Sequence, residues 1–160
     1  MRTVIYPGTF DPITNGHMDL ITRATILFAR VIVAVAKNED KHPLFAHEER
    51  IQLVKETTKN LQQVEVEGFD GLLVDYAKKK RCHAVLRGLR AVSDFEFEFQ
   101  LALMNRKLDK DFETIFMMPN EEYTFLSSRM VKEIAKLGGN ISPFVPPHVA
   151  KALRKKLGFE

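Results

Sequence analysis

A chain of 160 residues, 45% hydrophobic and 28% charged, is long enough to bury a sizeable core and reads as one globular domain over residues 1–160. No apolar run approaches the ~18 residues needed to cross a bilayer, which argues against a membrane partner. The only cysteine, Cys82, excludes an intrachain disulfide and a cysteine-rich zinc site. A net charge of +3 suits an anionic small molecule and equally suits weak nucleic-acid binding, so charge alone does not decide. The N-terminus lacks the charged, apolar and small-residue order of a signal peptide, and a cytoplasmic location is expected.

In chain order, the apolar run Thr3–Tyr6 predicts a strand, and Tyr6 to His17, YPGTFDPITNGH, predicts a tight loop leading into a helix. Met18, Ile21, Ala24, Leu27 and Phe28 recur at helical spacing. The β-branched run Val31–Ala36 predicts a strand buried on both faces. A polar loop follows, then a helix from about His47 with Glu48 and Glu49 in its first turn, where acids suit the helix dipole.

Val64–Val66 is a short alternating strand, and Leu72, Leu73, Tyr76 and Ala77 mark a third helix. Ala84–Leu86 is the fourth strand. Ser93 and Glu96 have capping-box spacing at the start of a long helix bearing Phe95, Phe99, Ala102 and Leu103. Thr114–Met118 is the fifth strand. Ser127 or Ser128 opens a helix that Gly138-Gly139 closes, and Pro147 sits in the first turn of a C-terminal helix. Five alternations of strand and helix predict an α/β fold. Its form is a Rossmann-like, doubly wound, five-stranded parallel sheet with helices on both faces.

In such a sheet, ligands bind beyond the carboxyl ends of the strands. Four polar segments fall there: Tyr6–His17, the loop around Lys41, Arg87–Arg90, and Tyr123–Arg129. His17, after a Gly-containing turn, can donate to a phosphate oxygen, as can the backbone of the helix it begins. Lys41 by itself reads as an ordinary surface lysine. Arg87 and Arg90 flank Gly88 directly after a buried strand, and arginine matches phosphate bidentately. The competing reading pairs these arginines with Asp94 and Glu96. Ser127 and Ser128 make either an anion site or a plain helix cap. Phe95 and Phe99 share a helix face, which reads as core or oligomer contact rather than base stacking. No other nucleic-acid motif appears, so no nucleic-acid partner is expected.

Thr14-Asn15-Gly16-His17 resembles the T-x-G-H signature of the nucleotidyltransferase superfamily. YPGTFDPITNGH, RGLR followed by DFEFE, and FLSS before MVKE resemble, along nearly the whole chain, the bacterial phosphopantetheine adenylyltransferase family. That resemblance implies adenylyl transfer from ATP to 4′-phosphopantetheine, giving dephospho-coenzyme A and pyrophosphate, the penultimate step of coenzyme A synthesis. It further implies direct in-line displacement, Mg²⁺ as cofactor, a cytoplasmic homohexamer, and feedback binding of coenzyme A. The alternative is another small-molecule nucleotidyltransferase, acting on nicotinate mononucleotide or as a cytidylyltransferase. A nucleotide- or RNA-binding module is the reading from a different class.

By the same likeness, His17 binds ATP and stabilises the transition state. Thr9 and Phe10 meet ATP, and Thr9 also meets the second substrate. Lys41, Leu73 and Arg87 hold phosphopantetheine. Gly88, Leu89, Arg90, Glu98, Tyr123, Thr124, Phe125, Leu126, Ser127, Ser128 and Arg129 line the ATP site. Arg129 departs from the Ser or Thr usual at the third position of its signature. The sequence singles out no protein ligand of a metal, and Mg²⁺ would be held largely by ATP phosphates and water.

Overall fold

The computed structural model describes residues 2–37 and 42–159, without the side chains of Val92 and Ser93. Five strands, β1 (Thr3–Gly8), β2 (Arg30–Ala36), β3 (Val64–Phe69), β4 (Ala84–Gly88) and β5 (Glu113–Met117), form one sheet in the order β3-β2-β1-β4-β5. Every pairing is parallel. Among the described residues six helices connect or follow them: α1 (Asn15–Leu27), α2 (His47–Thr58), α3 (Leu73–Lys79), α4 (Val92–Leu108), α5 (Ser128–Lys136) and α6 (Pro147–Lys156). The chain starts at a central strand, builds outward to β3, and returns across β1 to β4 and β5. The order therefore reverses between β1 and β4. A crevice opens there, because the loops leaving these two strands go to different sides.

Strand alternation divides the core in two. Val4, Tyr6, Val31, Val33, Val35 and Leu86 face one side, packed with Leu20 and Ile21 of α1, Ile51 and Val54 of α2, Val131 of α5 and Leu153 of α6. Ile5, Ile32, Ala34 and Val85 face the other, with Val74, Tyr76 and Ala77 of α3 and with Phe112. Helices cover both faces, as the alternating pattern requires.

Two local expectations change. β3 runs on through Glu67, Gly68 and Phe69, three residues beyond the alternating stretch, because Gly68 and Phe69 pair with Val35 and Ala36 of β2. Helix α4 has its N-cap at Ala91, two residues before the Ser93 of its apparent capping box, and no side chain caps it. The side chain of Ser93 lies outside the described residues. Elsewhere the end signals act as read. Ser127 Oγ caps α5 by accepting from the Met130 N–H at 3.2 Å. Gly138, at φ +73°, supplies the left-handed residue that lets the Gly139 N–H reach Ile134 O at 2.9 Å.

Candidate active site

At the carboxyl ends of β1 and β4 lies a cavity of about 780 Å³. Thr9, Phe10, His17, Arg87, Gly88, Arg90, Glu98, Tyr123, Leu126, Ser127, Ser128 and Arg129 all line it. Residues read from three separate segments thus meet in one space. Leu89, Thr124 and Phe125 do not line the cavity, and Phe125 is well exposed. Leu73 borders a smaller cavity of about 170 Å³, which shares Arg87 and Glu98 with the large one. Lys41 lies outside the described residues.

The turn after β1 is built around Phe10. Its backbone has φ +50°, and its ring packs where a Cβ on Gly8 would fall only 2.9 Å away. Only glycine leaves room for that ring. The buried ring meets His17 edge to face at 5.1 Å between centroids, and Tyr6 at 5.6 Å. What Phe10 offers a ligand is therefore its backbone, while its ring props the His17 imidazole.

His17 occupies the first turn of α1 and takes part in its cap. The Thr14 backbone N–H donates to His17 Nδ1 at 3.0 Å, and Thr14 Oγ1 lies 3.1 Å from the same nitrogen. A nitrogen that accepts from an amide carries no proton, so the proton of the neutral ring sits on Nε2. Burial, and secondarily the charge of Arg90, lowers the His17 pKa from 6.5 to about 4. The ring is a neutral donor at physiological pH, beside the start of α1, where the Asn15 N–H donates to Phe144 O and the His17 N–H to Thr14 Oγ1.

This neutrality has a consequence for stability. Between pH 6.5 and about 4 the unfolded chain takes up a proton that folded His17 refuses. Its contribution to stability is complete above the unfolded value and is lost as pH falls through this window. A His17→Gln variant should therefore lose less Tm than the wild type between pH 7 and 4.5. Equal acid slopes in the two proteins would contradict the assignment.

The charges around the cavity are arranged in pairs. Arg87 holds Glu98 through two bonds, Nε to Oε2 at 2.7 Å and Nη2 to Oε1 at 2.5 Å, and its Nη1 donates to Pro7 O at 3.2 Å. Arg90 reaches Asp94 at 3.2 Å. The competing reading of the arginines thus holds in part: Arg90 does bond Asp94, but Arg87 chooses Glu98 over Glu96. One turn further along α4 from Asp94, Glu98 is the carboxylate that faces β4. Glu98 is consequently engaged in orienting Arg87. Arg129 is exposed and, among the described residues, forms no ion pair.

Sequence reasoning missed Asp11 and Lys132. Asp11 is 4% exposed and accepts the backbone N–H groups of Leu44 and Phe45, both at 2.9 Å. Lys132 of α5 donates to it at 2.5 Å and also lines the cavity. Ser128 Oγ donates to Pro12 O at 2.7 Å. The β1 turn is therefore tied both to the segment just before α2 and to α5. The i+4 spacing of Ser128 and Lys132 on one helix face, opposite an Asp-Pro turn, was the available signal.

The chain matches the cytidylyltransferase-like family over residues 5–134. It is 58% identical to a phosphopantetheine adenylyltransferase of Thermodesulfovibrio yellowstonii over 156 residues, 97% of each chain. It is 56% identical to a phosphopantetheine adenylyltransferase of Desulfitobacterium hafniense, covering 98% of this chain and 96% of that one. Among solved structures, the nicotinic acid mononucleotide adenylyltransferase of Plasmodium falciparum, complexed with NaAD, superposes with a TM-score of 0.72 at 15% identity. That match covers 100% of this chain and 99% of the other, and at such low identity it speaks for the fold alone. With more than half its residues shared across nearly its full length, the chain belongs to the phosphopantetheine adenylyltransferase family of cytidylyltransferase-like nucleotidyltransferases.

Proposed function

We infer that the chain catalyses adenylyl transfer from ATP to 4′-phosphopantetheine, releasing pyrophosphate and forming dephospho-coenzyme A. The observation that carries the reading is the convergence at one cavity of a neutral His17 donor, two helix N-termini and the Arg87–Arg90 pair of cations. Such a site suits two anions that must be brought together. Homology at this level favours phosphopantetheine over nicotinate mononucleotide or a cytidine nucleotide as the reactant class.

The reaction needs no general base, because the phosphate of phosphopantetheine is already an anionic nucleophile. Its oxygen forms a bond to the α-phosphorus of ATP as the bond to the bridging oxygen breaks and pyrophosphate leaves. The His17 Nε2–H is aimed at charge that gathers on the α-phosphate oxygens. Gly88, Arg90, Ser127, Ser128 and Arg129 orient ATP. Tyr123 packs within 3.3 Å of where a Gly16 Cβ would lie, closing the cavity over the start of α1. Thr9, Lys41 and Arg87 hold the acceptor phosphate, and the smaller cavity beside Leu73, Leu101 and Asn105 receives the pantetheine arm. Cys82 takes no part, since it is buried at the far end of the sheet, bonded to Thr3 O and Ala84 O.

Mg²⁺ fits this scheme as a partner of ATP. The carboxylates lining the cavity, Asp11, Asp94 and Glu98, are each already engaged by a cation, and the described residues contain no cluster able to cage a metal. When bound, Mg²⁺ supplies charge neutralisation on the phosphates.

The reading extends to a cytoplasmic homohexamer that coenzyme A inhibits by occupying the same cavities. Support for self-association comes from α4, whose Phe95, Phe97, Phe99, Leu103 and Met104 are all exposed in the single chain.

The test is pyrophosphate release from Mg-ATP with each acceptor in turn. Release that requires 4′-phosphopantetheine and yields dephospho-coenzyme A is the expected result. Release only with nicotinate mononucleotide, or none from folded protein, would overturn the assignment.

A further inference from the structure

Arg50 is the largest fully buried side chain among the described residues, 1% exposed, on a helix that also presents Ile51 and Val54 to the core. It forms no ion pair among the described residues. Its guanidinium is surrounded by main-chain carbonyls instead. Nη1 donates to Thr9 O and to Ala36 O, both at 2.7 Å. Nη2 donates to Lys37 O at 2.7 Å, and Nε to Phe45 O at 3.1 Å. Four carbonyls from three segments are gathered on one cation: the turn after β1, the carboxyl end of β2, and Phe45 just before α2.

The β1–β2 ladder already joins the first two segments at Gly8 and Val35, and Asp11 joins the first to the third through the Leu44 and Phe45 N–H groups; the Arg50 guanidinium bonds all three at once. The first carries Thr9. The second and third are the two ends of the loop that carries Lys41. A buried arginine with its donors spent on carbonyls is costly to keep unless all are satisfied, and here Nε and both Nη atoms are bonded. No smaller donor reproduces the fork. Lysine ends in a single ammonium, which cannot span carbonyls of three segments.

We propose that Arg50 is a positioning residue for the acceptor substrate, setting the spacing of the Thr9 turn, the carboxyl end of β2 and Phe45 through the four carbonyls it holds. It touches no reactant. The loss of its clamp falls on the side of the cavity nearest these segments, whereas Arg90, the start of α1 and Ser127–Arg129 lie on other elements. ATP meets only the Thr9–Phe10 turn among these segments, whereas phosphopantetheine is placed beside both Thr9 and Lys41, so Arg50 acts on phosphopantetheine more than on ATP. The inference rests on the placement of phosphopantetheine beside Thr9 and Lys41 proposed above.

The experiment uses the full-length chain with Arg50→Lys, Arg50→Gln and, as a stability control, Val54→Ala. Val54 is fully buried on the same helix and holds no carbonyl. Assays run well below each Tm, with ATP saturating while phosphopantetheine is varied and phosphopantetheine saturating while ATP is varied, so that a bound substrate helps hold the variants folded. The wild type is assayed first; failure to turn over phosphopantetheine would sink the functional reading itself, independently of Arg50. The expected result is a roughly tenfold to hundredfold rise in the KM for phosphopantetheine in both Arg50 variants, with the KM for ATP within about threefold of wild type. Val54→Ala, although less stable, should keep both constants. Wild-type KM for phosphopantetheine in folded Arg50→Lys or Arg50→Gln would overturn the proposal, as would an equal rise in both KM values or the same rise in Val54→Ala.

Discussion

His17→Ala should fold and turn over about 10²–10³ times more slowly than the wild type. The expected loss follows from where the imidazole proton lies. Nδ1 is taken by the Thr14 N–H at 3.0 Å, so Nε2–H is the ring's one remaining donor. A donor fixed in advance and partly shielded from water contributes most when charge develops opposite it, which is in the transition state. The loss should therefore appear in kcat, with both KM values changed only a few-fold. Truncation also frees the Thr14 N–H and removes part of the α1 cap, which costs about 1 kcal/mol and leaves the fold intact. Steady-state pyrophosphate release and a thermal melt on the same sample check both parts. A folded variant with near-wild-type kcat would rule out the role.

Lys132→Met is expected to have the largest effect on stability of any single change at the site. It would strand the Asp11 carboxylate, which is 4% exposed, without its cation. Breaking a fully buried pair costs ~3–5 kcal/mol. Asp11 retains two backbone N–H partners and the Lys132 side chain keeps 24% of its exposure, so about 2–3 kcal/mol is the expected loss. For a chain of this size that corresponds to a Tm lower by roughly 5–10 °C. Adding Asp11→Asn removes the stranded charge but sets an amide NH2 against the Leu44 or Phe45 N–H, so it should recover only part of the loss. An unchanged Tm in the single variant would contradict the pairing.

The periodic parts of the chain were legible because burial on a sheet or helix leaves a regular trace. Val31–Ala36 reads as a doubly covered strand and is one, central in the sheet beside β1. The cavity's location was also legible, since strand order and loop chemistry both point to the carboxyl ends of β1 and β4. Residues whose role depends on partners far along the chain were not. Arg50 stands on a polar-looking helix, and nothing in HEER distinguishes a solvated arginine from one that collects carbonyls 41, 14, 13 and 5 positions away. Asp11 looks like a turn residue until Lys132, 121 positions on, is brought to it. Leu73 has the periodicity of a core residue, and only the shared wall of the smaller cavity relates it to Arg87. Phe95 and Phe99 do share a face and stack at 5.6 Å between centroids, yet that face remains exposed in the single chain.

The central claim is that one cavity brings two anions together for a single direct displacement at the α-phosphorus. The stereochemical course of the transfer tests it most directly, using ATP with a sulfur of known chirality on the α-phosphate and 4′-phosphopantetheine as acceptor. One in-line displacement predicts inversion of configuration in the dephospho-coenzyme A formed. Retention would require two successive displacements through an adenylylated enzyme, and would contradict the account.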